Sequence, residues 1–412
     1  MGNVVTQDAD PIEVGFDPDR LGRLSARMRR FVDAGLLPGF HVVVSREGRV
    51  CLNETYGRRD VEADLPIEAD TIYRVYSMTK PITAVAALLL WEEGLFELKD
   101  PVSSVLPTYA ELKVFRSGSV TNPTLEGLTE PMRMWHLFTH TAGLAYGFAY
   151  AHPVDALYRA AGFEWGVPAG ADLAEVCDRL AALPLLFQPG SEWNYSMSID
   201  VLGRVVEVLS GQPLDEFLRA RIFEPLGMAD TGFFVPEADQ ARTAALYTPA
   251  PGTRSLVRNE AMGGAALRAP SALLGGGGLV STAHDYQRFV QCLARGGALD
   301  GVRLLGPRTV EMMASNHLPG DADLTAFGRP LFAETAFDGV GFGLGVSVTL
   351  DPATAKVPGS PGDFGWGGAA STWFMVDPVE DLTVLFLTQL LPSSTHPIRS
   401  LLKLLVHQAL VD

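Results

Sequence analysis

Strand-forming segments gather near the two ends of the chain and helical periodicity fills most of what lies between, so a sheet can form only by bringing both ends together. Phe40 to Ser45 and Val50 to Tyr56 are rich in strand formers, and Arg46-Glu47-Gly48-Arg49 between them reads as a tight turn. Near the other end, Gly343 to Leu350, Ser371 to Val376 and Leu382 to Thr388 read as three more strands, the last two joined by the turn segment Asp377-Pro378-Val379-Glu380-Asp381. Asp17 to Ala34 carries Leu21, Leu24, Met28, Phe31 and Val32 at helical spacing. After Pro397, Ile398, Leu401, Leu402, Leu405, Val406 and Ala409 repeat that spacing. The expected fold is α/β of the α+β type: an antiparallel sheet built from both termini and flanked by helices.

Helical patterns dominate from about Pro81 to Gly275, notably Leu173 to Leu183, Asp200 to Leu209 and Pro213 to Ile222. Gly275-Gly276-Gly277-Gly278 then marks a tight backbone passage, and Thr282 starts a helix carrying Tyr286, Phe289, Val290 and Leu293. This divides the chain into a sheet domain, residues 1–80 and 276–412, and a mostly helical domain, residues 81–275, with a site expected at their junction. A chain of 412 residues that is 47% hydrophobic can bury a core of that size.

Lys and Arg number 32 against 48 Asp and Glu, a formal charge of −16 that argues against nucleic acid as a partner. Met1 to Pro11 has neither a basic nor an apolar region of the signal-peptide kind, so a cytoplasmic location is expected. The apolar run around Ala84 to Leu90 ends at Trp91-Glu92-Glu93, far short of the roughly 20 residues a membrane span requires. Cys51, Cys177 and Cys292 are scattered and odd in number, which fits reduced core thiols rather than a disulfide framework. His136 and His140 are four apart but lack an accompanying glutamate or third ligand, so neither a metal nor another cofactor is expected.

Chemistry concentrates in three segments. Ser77-Met78-Thr79-Lys80 precedes Pro81 and a long helix, which puts hydroxyl and amine one turn apart on one face, near the positive end of the helix dipole. A serine hydroxyl attacks only once a base takes its proton, and an amine at this spacing can serve. Ser400-Leu401-Leu402-Lys403 repeats the spacing inside the terminal helix, where amphipathicity alone accounts for it. Tyr195, in Tyr195-Ser196-Met197, offers a loop-held phenol able to share protons with Lys80. Gly365-Trp366-Gly367-Gly368-Ala369 lets a substrate approach the backbone closely, where an N–H could bind a developing oxyanion. Tyr146, Phe148 and Tyr150 are candidates for an apolar cleft wall.

In order and setting these segments resemble the serine β-lactamase and penicillin-binding-protein superfamily, most closely class C β-lactamases and family VIII carboxylesterases, over nearly the whole chain. Leu137-Phe138-Thr139-His140-Thr141-Ala142-Gly143-Leu144 and Gly276-Gly277-Gly278-Leu279-Val280-Ser281-Thr282-Ala283 look like landmarks of the same superfamily. The resemblance implies Ser77 as nucleophile, Lys80 and Tyr195 as the acid/base pair, the N–H groups of Ser77 and Ala369 as the oxyanion hole, and an acyl-enzyme intermediate. Class C enzymes carry lysine where this chain has Trp366, and asparagine where it has Met197. Both departures remove polar contacts to a β-lactam, and with Gly367 and Gly368 they favour small uncharged esters. The expected activity is therefore a carboxylesterase with weak β-lactamase activity. The alternatives are a class C-type β-lactamase or transacylase, and a penicillin-sensing module acylated once.

Overall fold

The computed structural model describes residues 3–253, 255–329 and 337–411. In chain order, helix α1 (Pro18–Asp33) leads into strands β1 (Gly39–Arg46), β2 (Arg49–Asp60) and β3 (Leu65–Pro66). Helices α2 (Thr79–Glu92), α3 (Ser198–Ser210) and α4 (Ala283–Ala294) follow, with shorter elements between them. Strands β4 (Val340–Phe342), β5 (Ser347–Thr349), β6 (Phe364–Gly367), β7 (Trp373–Asp377) and β8 (Leu382–Leu387) precede helix α5 (Ile398–His407). The eight strands form one antiparallel sheet in the order β4-β5-β6-β7-β8-β1-β2-β3. The two chain ends meet at the β8–β1 pair, where His41 faces Leu387 and Arg46 faces Leu382.

Local sequence accounts for these elements. Asp17 caps α1 by accepting from the Arg20 N–H at 3.0 Å, and Pro18 occupies the first helical position. The β1–β2 turn has positive φ at both Glu47 (54°) and Gly48 (72°), matching the right-handed twist of the strands it joins. Side chains alternate across the sheet. Phe40, Val42 and Val44 of β1 with Val384 and Phe386 of β8 share a core with Leu24 and Met28 of α1 and Leu402 and Val406 of α5. Val43 and Leu385 point the other way, into a second core with Tyr286 and Phe289 of α4. Burial on both faces makes these strands near-continuous apolar runs, which is why they stand out in the sequence. Helix α2 is buried at every position from Thr79 to Leu90 and packs against α3.

Three expectations need correction. The segment Gly343–Leu350 is not one strand: β4 ends at Phe342, the chain turns through Gly345 at a φ of 86°, and only Ser347–Thr349 is extended. Phe364–Gly367, not among the segments read as strands, is one, because partners on both sides supply the ladder that two glycines of intrinsically low strand propensity would not form alone. Pro213–Ile222 is a short helix, Leu214–Leu218, that widens into a π-type turn over Arg219–Phe223. The central region also holds the hairpins Lys113–Ser119/Asn122–Gly127 and Tyr247–Pro249/Leu256–Arg258. No helix among the described residues is long and apolar enough to cross a membrane.

Burial sets a pH limit on this fold. His41, enclosed in the sheet with its Nε2 2.7 Å from Asn53 Oδ1, has its imidazole pushed down to about 4, chiefly by desolvation. The unfolded chain takes up that proton near pH 6.5 and the folded chain only near 4, so stability falls as pH drops through this window. Between pH 7.5 and 5 the loss from His41 is about 2 kcal/mol. Urea unfolding at both pH values should show His41→Gln narrowing the stability difference by about that amount; an equal difference in the variant refutes the assignment to His41.

Candidate active site

The turn that carries Ser77 is built under backbone constraint. Tyr73–Arg74 pairs with Val280–Ser281, the chain then reverses at Tyr76 with a φ of 44°, and a single 3-10 turn, Tyr76–Met78, leads into α2. A bulky residue in the left-handed region is strained, and such strain persists only where the surroundings fix it. Here the Tyr286 hydroxyl donates to Met78 O at 2.7 Å, and the Leu279 N–H donates to Thr79 Oγ1 at 3.1 Å. Ser77 is left half-buried on the cleft wall, at the N-terminal end of α2.

Lys80 lies beneath it and is 1% exposed. Its Nζ donates to Ser77 Oγ at 3.3 Å, Tyr146 Oη at 3.2 Å and Gly276 O at 2.6 Å, and lies 4.4 Å from the centroid of the Tyr195 ring. Three acceptors match the three protons of an ammonium group. The nearby carboxylate is Asp200 on α3, also buried, whose Oδ1 accepts from the Gly276 N–H at 2.8 Å. Desolvation pushes the Asp200 carboxyl above its ordinary range, and the Lys80 charge pulls it back. Thr83 donates to Gly275 O at 2.8 Å, so the glycine passage is held from α2 and α3 at once. A methyl group at Gly275 would press on Thr83, and one at Gly276 on the Asp200 carboxylate.

Tyr195 sits across the cleft, its Oη accepting from Trp366 Nε1–H at 3.2 Å. The indole that stands where class C enzymes carry lysine thus donates a neutral hydrogen bond to the phenol. Tyr146, expected on the apolar wall, lines the cleft but also touches Lys80; burial raises its phenol well above the ordinary range. Its ring stacks on Phe148 at 4.7 Å, and Phe148 stacks on Trp165 at 5.1 Å. Trp165 extends this wall to solvent and has no motif to mark it in the sequence. Tyr150 does not join them: at a φ of 52° it turns to the surface, bonds Glu164 and lies under Arg159. Met197, Trp366, Gly367, Gly368 and Ala369 line the same cavity as Ser77, about 760 Å³ in volume.

His136 and His140 have structural partners instead of facing each other on a helix, which ends at Phe138. His136 Nδ1 accepts from the Arg133 N–H at 3.0 Å, and His140 packs 4.8 Å from the Tyr195 ring. The three cysteines are buried and free, and desolvation raises each thiol. Asp200 and the Gly276 carbonyl escape a reading of the sequence, the first because it resembles any acid in the first turn of a helix.

The two central glycines of the Trp366 segment face opposite ways. A methyl at Gly367 would collide with the Arg399 guanidinium, on the α5 side of the sheet. One at Gly368 would collide with Val75 O and Thr372 Oγ1, on the Ser77 side. Gly368 therefore brings β6 against the turn that carries Ser77.

A β-lactamase family model matches residues 24–408, and the chain belongs to that family. Protein Rv1367c of Mycobacterium tuberculosis is 38% identical over 372 residues, 89% of either chain. Esterase EstB of Burkholderia gladioli is 34% identical over 400 residues, covering 92% of this chain and 93% of EstB. Among solved structures, EstCE1, described as a hydrolase with promiscuous acyltransferase activity, aligns with a TM-score of 0.79 at 28% identity, covering 96% of this chain and 99% of its own. Fold and family thus place the chain among β-lactamase-fold proteins whose relatives include a named esterase and an acyl-transferring hydrolase.

Trp366→Phe isolates the indole hydrogen bond, since it keeps an aromatic ring beside Tyr195 and deletes the donor. With a p-nitrophenyl ester as substrate, kcat/KM should fall about five- to tenfold, the worth of one ordinary hydrogen bond. Steady-state kinetics at matched protein stability checks this, and an unchanged kcat/KM would assign Trp366 to packing alone.

Proposed function

We propose that this chain is a serine carboxylesterase that hydrolyses small, uncharged esters through an acyl-enzyme on Ser77. The observation that carries the reading is the contact between Ser77 Oγ and the buried Lys80 Nζ at 3.3 Å, on the wall of a cleft where Trp366 and Met197 present apolar surface beside Tyr195. In the acylation step Lys80 keeps its protons, and the Tyr195 member of the pair, acting as a phenolate beside that ammonium, takes the Ser77 proton as Oγ attacks the ester carbonyl. The tetrahedral oxyanion is held by the N–H groups of Ser77 and Ala369. Its collapse breaks the ester C–O bond, and the pair returns the proton to the departing alcohol. Water then attacks the acyl-Ser77 ester, giving its proton to the same pair, and a second collapse releases the acid and reprotonates Ser77 Oγ. Tyr146 assists by sharing the Lys80 proton.

The pocket composition supports esters over β-lactams. A β-lactam carries a carboxylate and an amide that need polar partners, and Trp366 and Met197 supply an apolar surface and at most one neutral donor. Acyl transfer to an alcohol is the second reading, favoured by the likeness to EstCE1 and by an aromatic wall able to retain the alcohol against water.

Turnover of p-nitrophenyl butyrate and of a chromogenic cephalosporin should be measured side by side with wild type, Ser77→Ala and Ser400→Ala. Sustained ester turnover that falls more than about 10³-fold in Ser77→Ala is expected, with Ser400→Ala active and little ring opening. Equal ester rates in wild type and Ser77→Ala overturn the reading. Dominant cephalosporin turnover would instead make the protein a β-lactamase, and one stoichiometric burst would make it a sensor.

A further inference from the structure

We propose that Arg399 is a positioning residue for the oxyanion hole, acting from the opposite face of the sheet through the Gly368–Ala369 peptide. The inference rests on the reading of Ala369 N–H as an oxyanion donor. Arg399 lies in the first turn of α5, which packs on the face of the sheet turned away from α4. Its guanidinium lies against Gly367, where any side chain would collide with it and where both residues also line the cavity, and Nη2 donates to Gly368 O at 2.8 Å and to Thr372 O at 3.4 Å.

Gly368 O and Ala369 N–H belong to one planar trans peptide, so they point in opposite directions. A donor that fixes the carbonyl from the α5 side therefore fixes the N–H toward the cleft, which Ala369 lines. Among the described residues no protein acceptor takes the Ala369 N–H. The Ser371 N–H also reaches Gly368 O, at 3.2 Å, but it belongs to the same turn and moves with it. Arg399 is anchored in a different element and ties the turn to α5. A charge-assisted bond to the carbonyl also increases the polarity of the whole amide, which strengthens its N–H as a donor. The Trp366-Gly367-Gly368 sequence thus admits Arg399 on one side and the Ser77 turn on the other, with the oxyanion peptide next in the chain.

The test compares wild type with Arg399→Ala, Arg399→Lys and Ile398→Val, the last loosening the buried side of the same helix. The measurements are kcat and KM for p-nitrophenyl butyrate, and the inhibition constant of phenylboronic acid, whose tetrahedral Ser77 adduct places an oxygen in the oxyanion hole. Arg399→Ala should lower kcat about ten- to a hundredfold, less than the loss of a complete oxyanion donor, with KM within about twofold. Boronate affinity should weaken in parallel, Arg399→Lys should recover part of both, and Ile398→Val should leave both unchanged. Unchanged kcat and boronate affinity in Arg399→Ala overturn the inference, as does an equal loss in Ile398→Val. Should Arg399→Ala not fold, Arg399→Lys against Ile398→Val decides by the same two readouts. Retained activity in Ser77→Ala defeats the underlying esterase reading instead, which separates the two failures.

Discussion

An ammonium group inside an apolar core must be met at every donor, and here that demand falls on Lys80, in the first turn of a helix buried through Leu90. Leaving a charge there unpaired would cost several kcal/mol. Its three acceptors come from separate parts of the chain: Ser77 from the preceding turn, Tyr146 from the helical region and Gly276 from the return to the sheet. Gly276 can be reached only because the backbone passes between Thr83 and Asp200 with no side chain in the way. Asp200 then adds the opposite charge without touching the amine, through the Gly276 N–H. Satisfying one cation therefore fixes the relative placement of α2, α3 and the glycine passage, and the hydroxyl of Ser77 is one of the groups held.

The same economy governs the facing strand. On the proposed mechanism β6 has to lie close enough to the Ser77 turn for two backbone N–H groups to meet one oxygen, and Gly368 permits the close approach to Val75. A strand that thin has little packing of its own on that side. Arg399 and α5 reach it from behind, through the space left by Gly367. The terminal helix packs on the far face of the sheet, yet its Arg399, Ser400 and Lys403 line the same cavity as Ser77.

Much of this was legible in the sequence because burial on both sheet faces leaves continuous apolar runs, and because α1 and α5 carry one-sided periodicity. The strand at Phe364–Gly367 was not, since its conformation comes from its neighbours in the ladder and not from its own residues. Ser77, Lys80 and Tyr195 stand out by spacing and setting, and the structure puts Ser77 and Tyr195 on one cleft with the Lys80 amine beside both. Tyr146 showed only as an aromatic, because its contact with Lys80 spans 66 positions. Tyr150, two residues beyond Phe148, was read with them on spacing that a left-handed turn annuls. Long-range hydrogen bonds and single-residue changes of backbone direction leave no periodic trace, and those are the features that separate cleft from surface here.

Trp366 shows how a single side chain can alter the chemistry of a shared frame. A lysine at that wall would hold the Tyr195 oxygen with a full charge and present the same charge to substrate; the indole holds that oxygen with a neutral donor at 3.2 Å. The two functions that one cation would combine, orienting the phenol and attracting an anion, are thereby separated, and only the first is kept. On the proposed reading the acylation machinery remains intact while attraction for a carboxylate at this wall is lost, because an anion beside Trp366 would lose its hydration without gaining a cationic partner from that side chain. Uncharged esters incur no such penalty, and the rings of Trp366, Tyr146, Phe148 and Trp165 offer them apolar surface along the cleft.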